Sequence, residues 1–198
     1  GGGNKLSLQH ANTGYSGTTT LKSGIIEIGD NQALGTGTLL VINGANAGKV
    51  RALSTNSYTL ANALTLNGTL TESGSGSLTF NGNIDLGGAT RGIDVAASPG
   101  VTLTLGGIIS NGGITVDPTG SGELILTGAN TYAGGTTVSG NGKLTGNTTS
   151  LQGTISVASL ATLNFNQTSD GTYAGVISGS GTVTKNGAGM LTLSGNSG

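Results

Sequence analysis

One histidine, eight carboxylates and seven basic side chains are all that this chain offers for acid–base chemistry. The densest cluster is Asp85, Arg91 and Asp94, in the stretch NIDLGGATRGIDV. Glycoside cleavage needs two carboxylates at a set separation, and Asp85 and Asp94 meet that need if the chain path brings them together. The alternative is a solvated turn with a local ion pair. Lys49 and Arg51 flank Val50 in GKVRAL, so both point to one face of a strand. There they meet an acidic partner, a glycan or only water. Tyr15 and Tyr132 share a repeat position, and Tyr173 follows in a similar TYAG context. Such rings serve as platforms for stacking sugars or as structural corners. His10 would be the base of a nucleophile–His–acid relay, but it falls at a corner where Gly128 stands in a related segment, and no Gly-x-Ser-x-Gly elbow accompanies it.

The remaining chemistry is excluded piece by piece. Gly120-Ser121-Gly122 and Gly187-Ala188-Gly189 precede strands and lack the third glycine of a dinucleotide loop, so they read as turns. Glu27, Asp30, Glu72, Asp117, Glu123 and Asp170 are scattered singly, without an Asp-x-Asp run or a calcium-binding nonapeptide. The absence of cysteine removes disulfides, Cys-rich zinc sites and thiol chemistry. A net charge of −1 leaves no electrostatic footprint for nucleic acid. No run of about 18 apolar residues suggests a membrane span. These features predict no cofactor, no metal and no enzyme activity.

The elements that position these residues are short alternating strands. Forty of 198 residues are Gly, against a usual share of about 7%, and they punctuate pieces such as Leu103-Thr104-Leu105 and Leu191-Thr192-Leu193. Alternation of aliphatic with Thr, Ser or Asn is the half-buried strand pattern. The unit also repeats. GSGELILTGANTYAGGTTV (120–138) echoes residues 2–21 and again GAGMLTLSGN (187–196). It runs through Gly120, Gly122, Leu124, Leu126, Gly128, Asn130, Tyr132, Gly134, Thr136, Thr137 and Val138, with Gly187, Gly189, Leu191 and Leu193 as the last copy. Matching positions lie about 46, 67 and 117 residues apart, near multiples of the roughly 20–24 residues typical of stacked coils. The pattern predicts an all-β, parallel β-helix of about eight to nine rungs, forming one segment over 1–198.

The segments 120–144 and 179–196 resemble the autotransporter-associated β-strand repeat, also called the passenger-associated transport repeat, of Gram-negative type V secretion. The copy near 2–29 is similar but carries an extra Gly14. The resemblance implies a right-handed parallel β-helix (β-solenoid) and a passenger exported to the cell surface or secreted. Its implied partners are a C-terminal β-barrel translocator, absent from this chain, and the outer-membrane assembly machinery. It implies a structural stalk whose repeats support folding and secretion. Adhesion to a host or glycan ligand, or self-association, is the alternative, and a polysaccharide-cleaving β-helix is the third reading. The repeat is already under way at residue 2 and breaks off at LSGNSG, which leads us to expect a fragment of a longer rod.

Overall fold

The chain winds into a parallel β-solenoid of about nine turns. The computed structural model describes residues 4–42 and 47–196, so Gly2 and Gly3 of the first repeat copy lie outside the described residues. The first coil holds β1 (Lys5–Leu8) and β2 (Thr19–Leu21), and the second β3 (Ile25–Ile28) and β4 (Leu39–Val41). The third holds β5 (Lys49–Ala52), β6 (Tyr58–Leu60) and β7 (Leu64–Leu66); the fourth holds β8 (Leu70–Glu72), β9 (Leu78–Phe80) and the start of β10 (Ile84–Val95). The end of β10 opens the fifth coil, followed by β11 (Thr102–Leu105) and the start of β12 (Ile109–Val116). The sixth has the end of β12 and β13 (Glu123–Leu126), and the seventh β14 (Thr136–Val138) and β15 (Lys143–Gly146). The eighth has β16 (Ile155–Val157), β17 (Thr162–Asn166) and β18 (Gly171–Tyr173); the ninth has β19 (Ile177–Gly179), β20 (Thr182–Asn186) and β21 (Leu191–Leu193).

These strands stack into three walls, and every pairing is parallel. The first wall runs β1-β3-β5-β8-β10-β12-β14-β16-β19, and the second β6-β9-β11-β13-β15-β17-β20. The third runs through β2, β4, β7 and the start of β10, and ends in β18 and β21. Register steps from coil to coil range from 19 residues (Thr136 to Ile155) to 25 (Leu78 to Leu103). The period follows from three strands and three corners, so one coil fixes where the next can bond.

The core is a set of columns. On the second wall Leu78, Leu103, Leu124, Leu144 and Leu163 lie in register and are buried. Thr59, Thr79 and Thr104 alternate with them and face outward. Strand spacing of about 4.8 Å brings each leucine against the next, so the column buries apolar surface continuously. The second wall starts only at β6. Its bare edge is covered by the turn after β3, where the Asn31 side-chain oxygen accepts the Thr59 amide at 2.8 Å, which blunts an edge open to foreign strands.

Sequence pattern misses four of these strands: β6, β8, β18 and β19. Tyr58-Thr59-Leu60 and Gly171-Thr172-Tyr173 are too short to show a period, and Leu70-Thr71-Glu72 ends on an acid. Each becomes a strand because a neighbouring coil supplies its hydrogen-bond partners. In addition, β10 is one bent strand where sequence suggests two. It rounds a corner at Gly87 and Gly88, both at positive φ, with the register slipping there.

Candidate functional site

The charged centre lies on the outer face of the first wall. Ile26 and Ile28 point inward, so Glu27 between them points out. Ser7, Glu27 and Arg51 are stacked in register on β1, β3 and β5. Lys5 Nζ reaches Glu27 Oε1 at 2.8 Å and Arg51 Nη2 reaches Oε2 at 2.6 Å. Ser7 Oγ donates to Oε1 at 2.9 Å, and Arg51 Nε to Oε2 at 2.8 Å. The side chains of Lys5 and Arg51 cover the carboxylate, leaving Glu27 buried. The Lys5 hydrogen bond, helped by Ser7 and Arg51, overcomes burial and holds Glu27 down from the ordinary 4.5 to about 2. A depressed carboxyl stabilises the fold fully above its unfolded value, and that stability is lost as pH falls through the folded one. Thermal unfolding of the wild type should therefore show a falling limb from 4.5 toward about 2. Glu27→Gln is expected to flatten that limb; an identical acid slope in both proteins would contradict the assignment.

This cluster changes the reading of Lys49 and Arg51. Both project outward from β5, but Arg51 is committed to Glu27 and only Lys49 remains exposed. They do not form a free basic pair.

The acidic cluster is also separated. Asp85 pairs in register with Thr65 and Ser110 on the third wall, whereas Asp94 pairs with Thr71 on the first. Asp85 Oδ1 accepts the Gly87 amide at 2.9 Å and Asn111 Nδ2 at 3.2 Å, and these bonds lower its pKa. Asp94 accepts the amide and hydroxyl of Thr119, at 2.9 and 3.1 Å. Arg91 Nε donates to the Leu86 carbonyl at 2.9 Å instead of to a carboxylate. The local ion pair expected there does not form; among the described residues the ion pairs are those on Glu27. Asp85 closes its own turn, Asp94 ties its strand to Thr119 one coil on, and the corner in β10 keeps the two apart. Also among the described residues, no three His, Asp or Glu side chains gather as a metal site.

The middle repeat copy places its residues as structural parts. Leu124 and Leu126 fill the core. Asn130 is buried, accepting the Ile109 amide at 2.8 Å and donating to the Ser150 carbonyl at 2.7 Å, so one side chain ties three successive coils. Tyr132 is buried, with its hydroxyl 3.0 Å from Thr136 Oγ1 and accepting the Gln152 amide at 3.2 Å. Burial raises its pKa. In β14, Thr136 and Val138 are buried and Thr137 is exposed. Gly128 and Gly134 pass close over the carbonyls of Gly107 and Gly112. Gly120 and Gly122 pass over residues 95–101, and Gly187 and Gly189 over the backbone of 167–169.

The family model described as Passenger-associated-transport-repeat matches residues 1–28, 119–144 and 183–198. The chain carries passenger-associated transport repeats. Together with the solenoid, they fit the repeat region of an autotransporter passenger. No curated protein and no solved structure matches the chain.

The three transport repeats share a motif but not a wall. The Leu-x-Leu strand of the first copy is β1 on the first wall, that of the second is β13 on the second, and that of the third is β21 on the third. Any wall accepts alternating leucines, and the residues between copies decide which one receives them. Tyr15 and Tyr132 consequently differ despite their common repeat position. Tyr15 is 38% exposed and donates to the Thr18 carbonyl at 3.0 Å, whereas Tyr132 is enclosed. Tyr173 behaves like Tyr132, donating to the Gly153 carbonyl at 2.6 Å and meeting Phe165 edge to face at 5.3 Å. His10 is exposed in the loop after β1. Sequence reasoning missed the centre on Glu27. Its signal was present, because Lys5, Glu27 and Arg51 are one coil period apart.

Proposed function

We propose that this chain is a structural stalk segment of an autotransporter passenger, exposed at the surface of a Gram-negative cell or released from it, whose coils support folding and outer-membrane secretion. The observation that carries the reading is the unbroken leucine column through Leu78, Leu103, Leu124, Leu144 and Leu163, built partly from a transport repeat. Each coil that closes on this column removes apolar side chains from water, at about 25 cal/mol per Å². That gain is available outside the outer membrane, where folding can draw the following chain outward. A C-terminal translocator and the outer-membrane assembly machinery are the partners this reading requires. Among the described residues no helix is long and apolar enough to cross a membrane. The two acids that would serve glycoside cleavage stand on different walls, which favours a scaffold over an enzyme.

In a full-length parent, changing Leu124, Leu126, Leu191 and Leu193 to Asn is expected to reduce passenger exposure on intact cells, read by protease accessibility and antibody labelling. Ile125→Thr, on the outward face between two of these leucines, serves as the control and should leave exposure near wild type. Undiminished exposure of the leucine variant would overturn the proposal.

A further inference from the structure

Glu72 occupies a core position. It is the last residue of β8, in register with Val50 on one side and Val95 on the other, and both valines point inward and are buried. The column reads Ile26, Val50, Glu72, Val95. Glu72 is fully buried within it. Its Oε1 accepts the Gly74 amide at 2.7 Å, and its Oε2 has no partner. A buried carboxylate oxygen without a donor is costly, whereas a protonated carboxyl is far less so.

The neighbouring strands do not supply the missing charge. On β5, Arg51 is held by Glu27 and Lys49 is exposed. On β10, Arg91 bonds to Leu86, Asp85 is held by Gly87 and Asn111, and Asp94 adds repulsion. No titratable side chain stands on β7 or β9. Burial first, then the charge of Asp94, push the carboxyl up to about 7 against the pull of the Gly74 bond.

We propose that β8 is a proton-operated weak point of the rod, closed while Glu72 holds its proton and opening locally when the carboxyl ionises. Opening breaks the Ser73 amide bond to Val50 O (3.1 Å) and the Ala96 amide bond to Glu72 O (2.8 Å). A groove of about 240 Å³ lined by Ser54, Ser73, Gly74 and Ser75, with the paired Glu27 and Arg51 at its side, shares the very glycine that holds the carboxyl, and gives the ionised group a short way to water. In a one-dimensional stack each coil is held only by its neighbours, so opening at β8 uncouples the coils on either side without unfolding them. The proposal does not depend on the stalk reading.

The test is amide hydrogen exchange on the intact chain at about pH 5 and about pH 8, corrected for intrinsic rates. Protection of Ser73 and Ala96 should fall by at least about tenfold with the rise in pH, while Thr127 and Ser139, farther along the rod, hold theirs. Glu72→Gln and Glu72→Val should each abolish the difference, and the wild-type profile decides alone if one variant does not fold. Parallel behaviour of all four amides in the wild type, or persistence of the loss in Glu72→Val, would overturn the proposal.

Discussion

Leu124→Ala is expected to destabilise the rod by about 2–5 kcal/mol, while Leu193→Ala costs well under about 1 kcal/mol. Both leucines belong to the Leu-x-Leu strand of a copy of one motif, Leu124 as its first leucine and Leu193 as its second. Leu124 has no exposed surface and stands between Leu103 and Leu144 in the column. Truncating it leaves a void bounded above and below by side chains on strands that are hydrogen bonded along both edges, so the site has little freedom to collapse. Leu193 stands on β21, which among the described residues pairs only with β18, and it is 53% exposed. Removing its side chain forfeits little burial. Urea unfolding of the two variants against wild type measures the contrast as a shift in midpoint at similar slope. Comparable losses would mean that membership of the motif, and not the closure of coils around each leucine, sets the energetics.

The same pair shows how far sequence leads. Alternation marks Leu103, Leu124 and Leu191 as inward residues of strands, and the spacing of copies points to coils of 20–24 residues; the register steps run from 19 to 25, around that spacing. Both signals are local or periodic, so a single chain displays them. The wall on which each copy lands is neither. It depends on the lengths of the corners between copies, such as the long turn at Asp30–Thr36 and the bend at Gly87, and these follow no period. Tyr15 and Tyr132 therefore share a repeat position without sharing an environment.

The charged residues are hard to place from sequence for a related reason. Asp85, Arg91 and Asp94 are close in sequence, and proximity in sequence suggested a cluster. In a coil, residues nine apart fall on different walls, whereas residues one period apart touch. Lys5, Glu27 and Arg51 satisfy the second condition, and they form the ion pairs. Glu72 gave no sequence signal, because an acid closing a three-residue strand looks like the beginning of a loop. Only its register with Val50 and Val95 reveals it as a core residue.

Gly128→Ala should cost about 1–3 kcal/mol, whereas Gly14→Ala should be neutral or stabilising by up to about 1 kcal/mol. At Gly128 a methyl group would run into the backbone carbonyl of Gly107, one coil back. Gly107 itself lies over the Gly82 carbonyl, Gly82 over that of Asn62, and Gly37 over that of Gly17. A corner built this way is a stack of carbonyls with no room for Cβ between them. The coils cannot separate to admit one, because Thr127 N is bonded to Leu105 O at 3.1 Å and Thr131 N to Ile109 O at 2.9 Å on either side of the corner. Where this stack does carry a side chain, at Asn62, its amide donates to the carbonyls of Gly35 and Gly37, at 3.1 and 2.7 Å, and replaces close approach with hydrogen bonds. Gly14, the extra residue of the first repeat copy, has no atom within 4 Å of an added methyl. There alanine chiefly restricts the unfolded chain. Thermal unfolding of the two variants separates these effects. A similar loss at both sites would show that the glycines serve general flexibility, and a loss confined to Gly128 assigns them to the spacing of the coils.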